Sequence, residues 1–376
     1  MIGLYDRPGV VKRLRLPDEK RILVISDIHG NLEYLKGVLN KVGFSNEDIL
    51  IIDGDFLEKG SDSLGTLRYI MELSRSGNVH TVCGNCDDWF TFFNASPEAD
   101  EHILRYIMHK KCGLLWDMCN VCGIDPFDVE CLGDCKKKLF MSFLEEWRFL
   151  SDLPHAIETE NFIFAHAAVD PKKRLDEHTI DDFVRYDYFM RSGRSFDKWV
   201  IVGHTPVVLY NKGIVCANPI IDREKRIVSI DGGCVLKDDG QLNCLMIPHK
   251  FSDRFFWDSY DGFKEYKALD FQTGGAKSCY VPWDDSLVQV LERGEEFSRC
   301  RHVSSGYELD ILTKYLYSDT EFTNCNDCTD YALPVRKGDM LKVVETTSRG
   351  YFCKKNGVSG WYYGRLECEE WRVKSE

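Results

Sequence analysis

Short apolar runs recur along the chain, and each one stops at a glycine or a polar cluster. RILVIS (21–26) runs into Asp27-Ile28-His29-Gly30-Asn31, DILIID (48–53) into Gly54-Asp55, and VHTV (79–82) into Cys83-Gly84-Asn85-Cys86-Asp87. NFIFA (161–165) stops at His166, WVIV (199–202) at Gly203-His204-Thr205-Pro206, and RIVSI (226–230) at Asp231-Gly232-Gly233. Runs this short, rich in Val and Ile and bounded this way, predict strands. LEYLKGVLNKV (32–42) and LGTLRYIMELSRS (64–76) instead repeat their apolar positions at the helical period. Strand and helix alternate early, so the pattern predicts an α/β sheet with its site at the carboxyl ends of the strands.

Further along, the texture changes twice. Residues 100–150 read as mostly helical (HILRYIMHK, then KKLFMSFLEEWRFL) around a loop containing Cys and Gly. From 323 short β signals alternate with turns: DYALPV, MLKVVETT, GYFCKK, Asn356-Gly357, then SGWYYGRLE. That spacing predicts a small all-β barrel of its own over 323–370. Between them, 276–322 reads as a connector with one helical candidate, ELDILTKYLYS (308–318). The main domain is expected to span 1–275, with 100–150 as a helical insert.

Composition narrows the function classes. With 376 residues and 44% hydrophobic content the chain suits one large domain plus a small one. A net charge of -13 argues against nucleic acid as a partner, which would need a Lys/Arg footprint. Phosphorylated substrates stay open if bound cations reverse the field locally. No apolar run reaches membrane-spanning length and no signal-peptide pattern opens the sequence, so the expectation is a cytoplasmic protein with no membrane partner. Sixteen cysteines are then expected as thiols or metal ligands.

The groups at the strand ends are Asp27, His29, Asp55, Asn85, His166 and His204. Oxygen and imidazole donors of this kind suit Mn, Fe or Zn. Any one of them could be an ordinary turn-former. Six at successive strand ends, using three of only ten histidines, are hard to assign to turns alone.

DIHGN, GDFLEKG, GNCD, FAHAAVD and GHTP, in this order over residues 21–245, resemble the motif series of the calcineurin-like metallophosphoesterases. The branch they look most like is that of the phosphoprotein phosphatases and symmetrical diadenosine tetraphosphatases. The resemblance implies a two-sheet α/β sandwich flanked by helices, with two divalent metal ions, Mn first and Fe or Zn next, at one end. It implies that Asp27, His29 and Asp55 hold the first ion, and that Asp55, Asn85, His166 and His204 hold the second. A hydroxide bridging the ions would attack a phosphomonoester in line, without a covalent intermediate. The expected substrate is a phosphoprotein, as in the serine/threonine phosphatases, or, as the rival, a dinucleoside polyphosphate such as diadenosine tetraphosphate or another nucleotide.

Three departures bear on that chemistry. Cys86 stands where the family places the His that, paired with the following acid, here Asp87, protonates the leaving oxygen. A thiol is a poorer electrostatic partner than imidazolium, so stable leaving groups would be favoured. Glu58 and Lys59 replace the family's Asp-Arg, a point charge in place of a bidentate fork on the phosphate. Arg185, Arg191 or Arg194 could compensate, or could face solvent. Pro206 stands where many phosphodiesterases place another metal-binding His.

Two further features remain. Cys119, Cys122, Cys131 and Cys135 could hold a structural zinc or could be free thiols. The tail resembles a Src-homology-3-like barrel whose Tyr331, Tyr351, Trp361 and Tyr362 could line a groove for a peptide partner. The altered acid and Arg positions also leave open a catalytically weak, metal-binding scaffold.

Overall fold

A computed structural model describes residues 7–89, 97–128, 132–211 and 213–367 of the chain. Cys131 and the last three residues of the expected barrel, 368–370, lie outside the described residues. The chain divides into two compact units. The first holds 1–207, 218–236 and 240–261; the second holds 208–217, 237–239 and 262–376.

In the first unit, one sheet runs in the order Phe256–Tyr260, Leu242–Ile247, Ile22–Ile25, Ile49–Asp53, Val79–Val82. The last three strands are parallel. Their crossovers carry the helices Leu32–Lys41 and Ser63–Ser74, close to the spans the helical period predicts. The second sheet runs Val11–Arg13, Ala156–Glu158, Phe162–Ala165, Trp199–Val202, Ile227–Ser229, Ile220–Asp222.

Side-chain alternation explains how the layers assemble. Ile22, Val24, Ile49 and Ile51 share a core with Phe162, Phe164, Ile201 and Val228 of the second sheet. Leu23, Ile25, Leu50 and Ile52 point the other way, onto the helices, with Leu35, Val38, Leu67 and Ile70. Strands covered on both faces are apolar at every position, which is why they read as continuous runs. The helical insert appears as Pro97–Lys110, Leu114–Val121, Leu132–Ser142 and Leu144–Ser151. Its Leu104, Ile107, Leu115, Met118, Leu139 and Trp147 join the helix-side core.

The second unit corrects two expectations. The segment 308–318 is not helical: Glu308–Leu312 is a strand in an antiparallel sheet ordered with Phe297–His302, Leu287–Glu292 and Phe322–Asn324. Glu308 and Asp310 are exposed while Leu309 and Ile311 are buried, a period of two that the surrounding apolar residues disguised. The all-β tail contributes Met340–Thr346, Tyr351–Lys355 and Val358–Tyr362 to a sheet whose edges are Glu265–Lys267 and Val215–Cys216. Its edge strands therefore come from outside the tail. Tyr362 is fully buried with its hydroxyl donating to the Asp270 carbonyl (2.9 Å), and Tyr331 and Trp361 are also buried. These aromatics hold the core of the sheet, because an amphipathic ring buries its face wherever its polar tip finds a partner.

Candidate metal centre

Each predicted donor sits just beyond a strand of the first unit, and the parallel pairing within each sheet brings the ends to one rim. The backbone there is unusual. Asp27, His29, Asp55 and His204 adopt left-handed φ values of 55°, 51°, 48° and 66°. Non-glycine residues pay about 1–3 kcal/mol each for such conformations, which persist only when their surroundings impose them. The surroundings do so here. Asp27 N–H donates to the Gly54 carbonyl (3.0 Å), His29 N–H to the Asp55 carbonyl (3.0 Å), and His204 N–H to the Asp27 carboxylate (3.0 Å).

Two motif glycines are required by close approach. A Cβ on Gly84 would lie 2.3 Å from the Asp55 carboxylate, and one on Gly203 would lie 2.1 Å from Asp27 Oδ2. Both distances are far inside van der Waals contact, so only glycine lets the acids seat against the neighbouring turn.

The donors converge. Ligand atoms of Asp27, Asp55 and His166 lie within 4.8 Å of one another, as do those of His29, Asp55 and Cys86, so Asp55 is common to both groups. Asn85 Oδ1 is 3.2 Å from His166 Nε2 and 2.8 Å from His204 Nδ1. His166 Nε2 is 3.3 Å from Asp55 Oδ1. All six residues of the predicted set are thereby brought together.

Whether these residues fit a cation can be read from their other contacts. Each histidine is tethered by the ring nitrogen facing away: His29 Nδ1 to the Leu57 carbonyl (3.3 Å), His166 Nδ1 to the Asp53 carbonyl (3.0 Å), His204 Nε2 to Asp187 (3.0 Å). Outer-shell tethers of this kind orient metal-binding imidazoles. Burial, then the Asp231 charge, pushes Asp27 well above the usual carboxylate range. Burial works against ionised Asp55, but the His166 charge and hydrogen bond outweigh it and hold Asp55 well below that range. Burial also opposes charge on His166, and Asp55 overcomes it, raising His166 to about 10. A proton on His166 thus balances the acids, and a divalent ion would take its place. The set fits.

Asp231 went unassigned in the sequence. It is fully buried, Oδ1 accepts from Gly233 N–H (2.8 Å), and Oδ2 has no hydrogen-bond partner among the described residues. Burial raises its pKa to about 6. The signal was present, since RIVSI also ends on the motif rim, but Asp-Gly-Gly reads equally well as a turn. Asp187, the tether of His204, lies in RYDYF and carries no motif.

The remaining candidates separate. Lys59 Nζ approaches His29 Nε2 (3.5 Å). Burial disfavours its charge, but Cys86 and the acids Asp55, Asp27 and Asp231 outweigh that and raise its pKa. Arg185 pairs with Asp181 (3.3 Å), Arg191 lies over the Tyr188 ring, and Arg194 lies over Tyr186 and donates to the Val169 carbonyl (3.0 Å). Asp87 is buried, with Oδ1 accepting from Leu57 N–H (3.1 Å) and Oδ2 from Gly84 N–H (2.9 Å). It ties two strand-end loops together. Cys86 N–H donates to Asp55 (2.8 Å), its Sγ accepts from Asn85 Nδ2 (3.4 Å), and burial followed by the Asp55 charge pushes the thiol well above its usual range. Cys119 and Cys135 are buried in the helix-side core, with Cys122 packed against it.

Comparison with known proteins agrees in kind. The profile of the calcineurin-like phosphoesterases matches residues 20–223. The asymmetrical bis(5'-nucleosyl)-tetraphosphatase PrpE of Oceanobacillus iheyensis is 24% identical over 263 residues, 61% of this chain and 90% of that protein. The symmetrical bis(5'-nucleosyl)-tetraphosphatase of Wigglesworthia glossinidia brevipalpis is 43% identical over 63 residues, 16% of this chain and 22% of that one. A crystal structure of a metallophosphoesterase from Sphaerobacter thermophilus is 18% identical with a TM-score of 0.40, covering 64% of this chain and 88% of the other.

Proposed function

Given that the chain belongs to the calcineurin-like phosphoesterase family and is a metal-dependent phosphoric ester hydrolase, we propose that it cleaves dinucleoside polyphosphates, releasing a nucleotide as a stable anion. Asp27, His29 and Asp55 would hold one divalent ion, manganese first, and Asp55, Asn85, His166 and His204 the other. When bound, the two ions lower the pKa of water and screen the charge of the phosphoryl oxygens. The chain's own residues do the rest. Lys59, already beside His29, grips a phosphate oxygen as a point charge.

The observation that carries the choice of substrate is Cys86. A general acid in this position typically contributes about 10²–10⁴-fold by protonating the leaving oxygen. Desolvation, then the Asp55 charge, makes the half-buried thiol hold its proton, and Asp87 has both oxygens engaged by backbone N–H groups. An alkoxide such as serine needs that proton, whereas a nucleotide phosphate leaves without it. The similar proteins named as bis(5'-nucleosyl)-tetraphosphatases support the same class.

The test compares kcat/KM on diadenosine tetraphosphate and on a phosphoserine peptide, in wild type and Cys86→His, with manganese supplied. The nucleotide is expected to be faster in wild type by about 10²-fold, and the histidine to raise the peptide rate selectively. A wild type that hydrolyses the peptide as readily as the nucleotide, or neither, refutes the proposal.

A further inference from the structure

We propose that Glu58 is a positioning residue: by capping the helix Leu114–Val121 it locks the turn that carries Lys59, so that the helical insert and the phosphate grip work as one unit. The inference rests on the reading of Lys59 as the phosphate ligand given above.

Glu58 and Lys59 are consecutive residues at φ 65° and 66°. Neither is a residue that chooses this conformation, so something must impose it. Two restraints are local: Glu58 N–H donates to Ser63 Oγ (3.0 Å), and Gly60 N–H donates to the Glu58 carbonyl (2.8 Å). The third reaches across the sequence. Glu58 Oε1 accepts from Leu114 N–H (3.0 Å), at the start of the insert's second helix.

That contact is built for. The first N–H groups of a helix lack partners within it and favour a carboxylate. Gly113, which precedes the helix, has φ 97°, and a Cβ there would lie 2.2 Å from Glu58 Oε2. Glycine is therefore needed both for its backbone and for the approach of the acid. The insert returns the favour: Asp117 Oδ2 accepts from Leu64 N–H (3.0 Å), at the start of the helix that follows the Lys59 turn. Residues 58–64 are thus bracketed by two reciprocal acid caps. Glu58 is half-buried, and desolvation raises its pKa to about 7.

The bracket matters because residue 59 is a lysine. An arginine fork aligns itself on a phosphate through two parallel hydrogen bonds, while a lysine brings a point charge on a flexible stem. The precision of such a grip must come from the backbone beneath it. Glu58 supplies that precision without touching substrate.

The experiment uses the full chain with manganese and compares wild type, Glu58→Ala, Glu58→Asp, Glu58→Gln, Lys59→Ala and the Glu58→Ala/Lys59→Ala double variant. The readouts are KM and kcat on diadenosine tetraphosphate and inhibition by inorganic phosphate. Glu58→Ala and the shorter, still charged Glu58→Asp should raise KM and the phosphate inhibition constant about 10-fold with kcat little changed, the signature of lost uniform binding. Glu58→Gln keeps an oxygen for Leu114 N–H and should stay within about 3-fold of wild type. In the Lys59→Ala background Glu58→Ala should add nothing, because the two act as one unit. Independent of turnover, hydrogen exchange of the metal-free protein should show residues 58–63 and the start of the 114–121 helix opening together in Glu58→Ala. Additive effects in the double variant, or Glu58→Gln as damaging as Glu58→Ala, overturn the inference. A wild type without metal-dependent turnover instead overturns the proposed function, and the exchange measurement then decides the bracket on its own.

Discussion

Two regions of the first unit carry clusters of metal-ligand side chains, and they use them in opposite ways. On the strand-end rim, Asp27, His29, Asp55 and His204 accept left-handed backbone, and glycines at 84 and 203 leave no room for a Cβ. In the insert, Cys119 and Cys135 sit among Leu115, Met118 and Leu139 in an apolar core, and burial followed by the Cys135 charge pushes Cys119 up to about 12. The rim holds opposed charges, Asp55 against His166 with Lys59 nearby, whereas burial keeps Cys119 protonated among apolar neighbours. What separates a binding site from a filled core is thus the conformational and electrostatic cost already built into the backbone, more than the identity of the ligand residues.

The comparison breaks most sharply at Asp55, which both donor groups share. Asp55→Asn should lower turnover by about 10³-fold or more and abolish binding of both ions, read by kinetics and by elemental analysis of the purified protein. Retention of either ion by this variant would show that the two groups are independent. Gly84→Ala comes next. Its methyl would press on Asp55, and a cost of about 2–4 kcal/mol in unfolding free energy is expected, together with weaker manganese binding by calorimetry.

Glu58 gives a pH-dependent effect. Its carboxyl sits at about 7 in the folded protein against an ordinary 4.5, so between those values the native state holds a proton that the unfolded chain has lost. Stability therefore falls as pH rises through that window, and the loss is complete above about 7. Glu58→Gln should recover about 1–3 kcal/mol at pH 8 and nothing at pH 4, measured by denaturant unfolding of the metal-free protein. The smallest effect is expected in the insert. Cys119→Ala should cost about 1 kcal/mol through lost packing and leave the metal content unchanged. A drop of one zinc per chain would instead make the insert a second metal region.

Much of this was legible in the linear pattern. The six rim donors, the parallel strands 22–25, 49–53 and 79–82 and the helices that join them all follow from local periodicity and from where each run stops. The strand at 308–312 reads as a helix in the sequence because its buried residues Leu309, Ile311 and Leu312 are followed by Tyr315 and Leu316, which imitates a helical stripe. Asp231 follows a strand-like run as the other donors do, but its Asp-Gly-Gly reads equally well as a turn, and Asp187 carries no motif at all.

What the chain alone determined was the set of residues able to hold cations and the elements that present them, since propensity and spacing are properties of neighbours. Only the folded arrangement decided which groups face one another. Asp87 is engaged by backbone N–H groups, half-buried Cys86 donates its N–H to Asp55, and Glu58 reaches a helix that starts 56 residues later. Desolvation and charge pairing depend on distance through space, and distance through space is what a sequence does not contain.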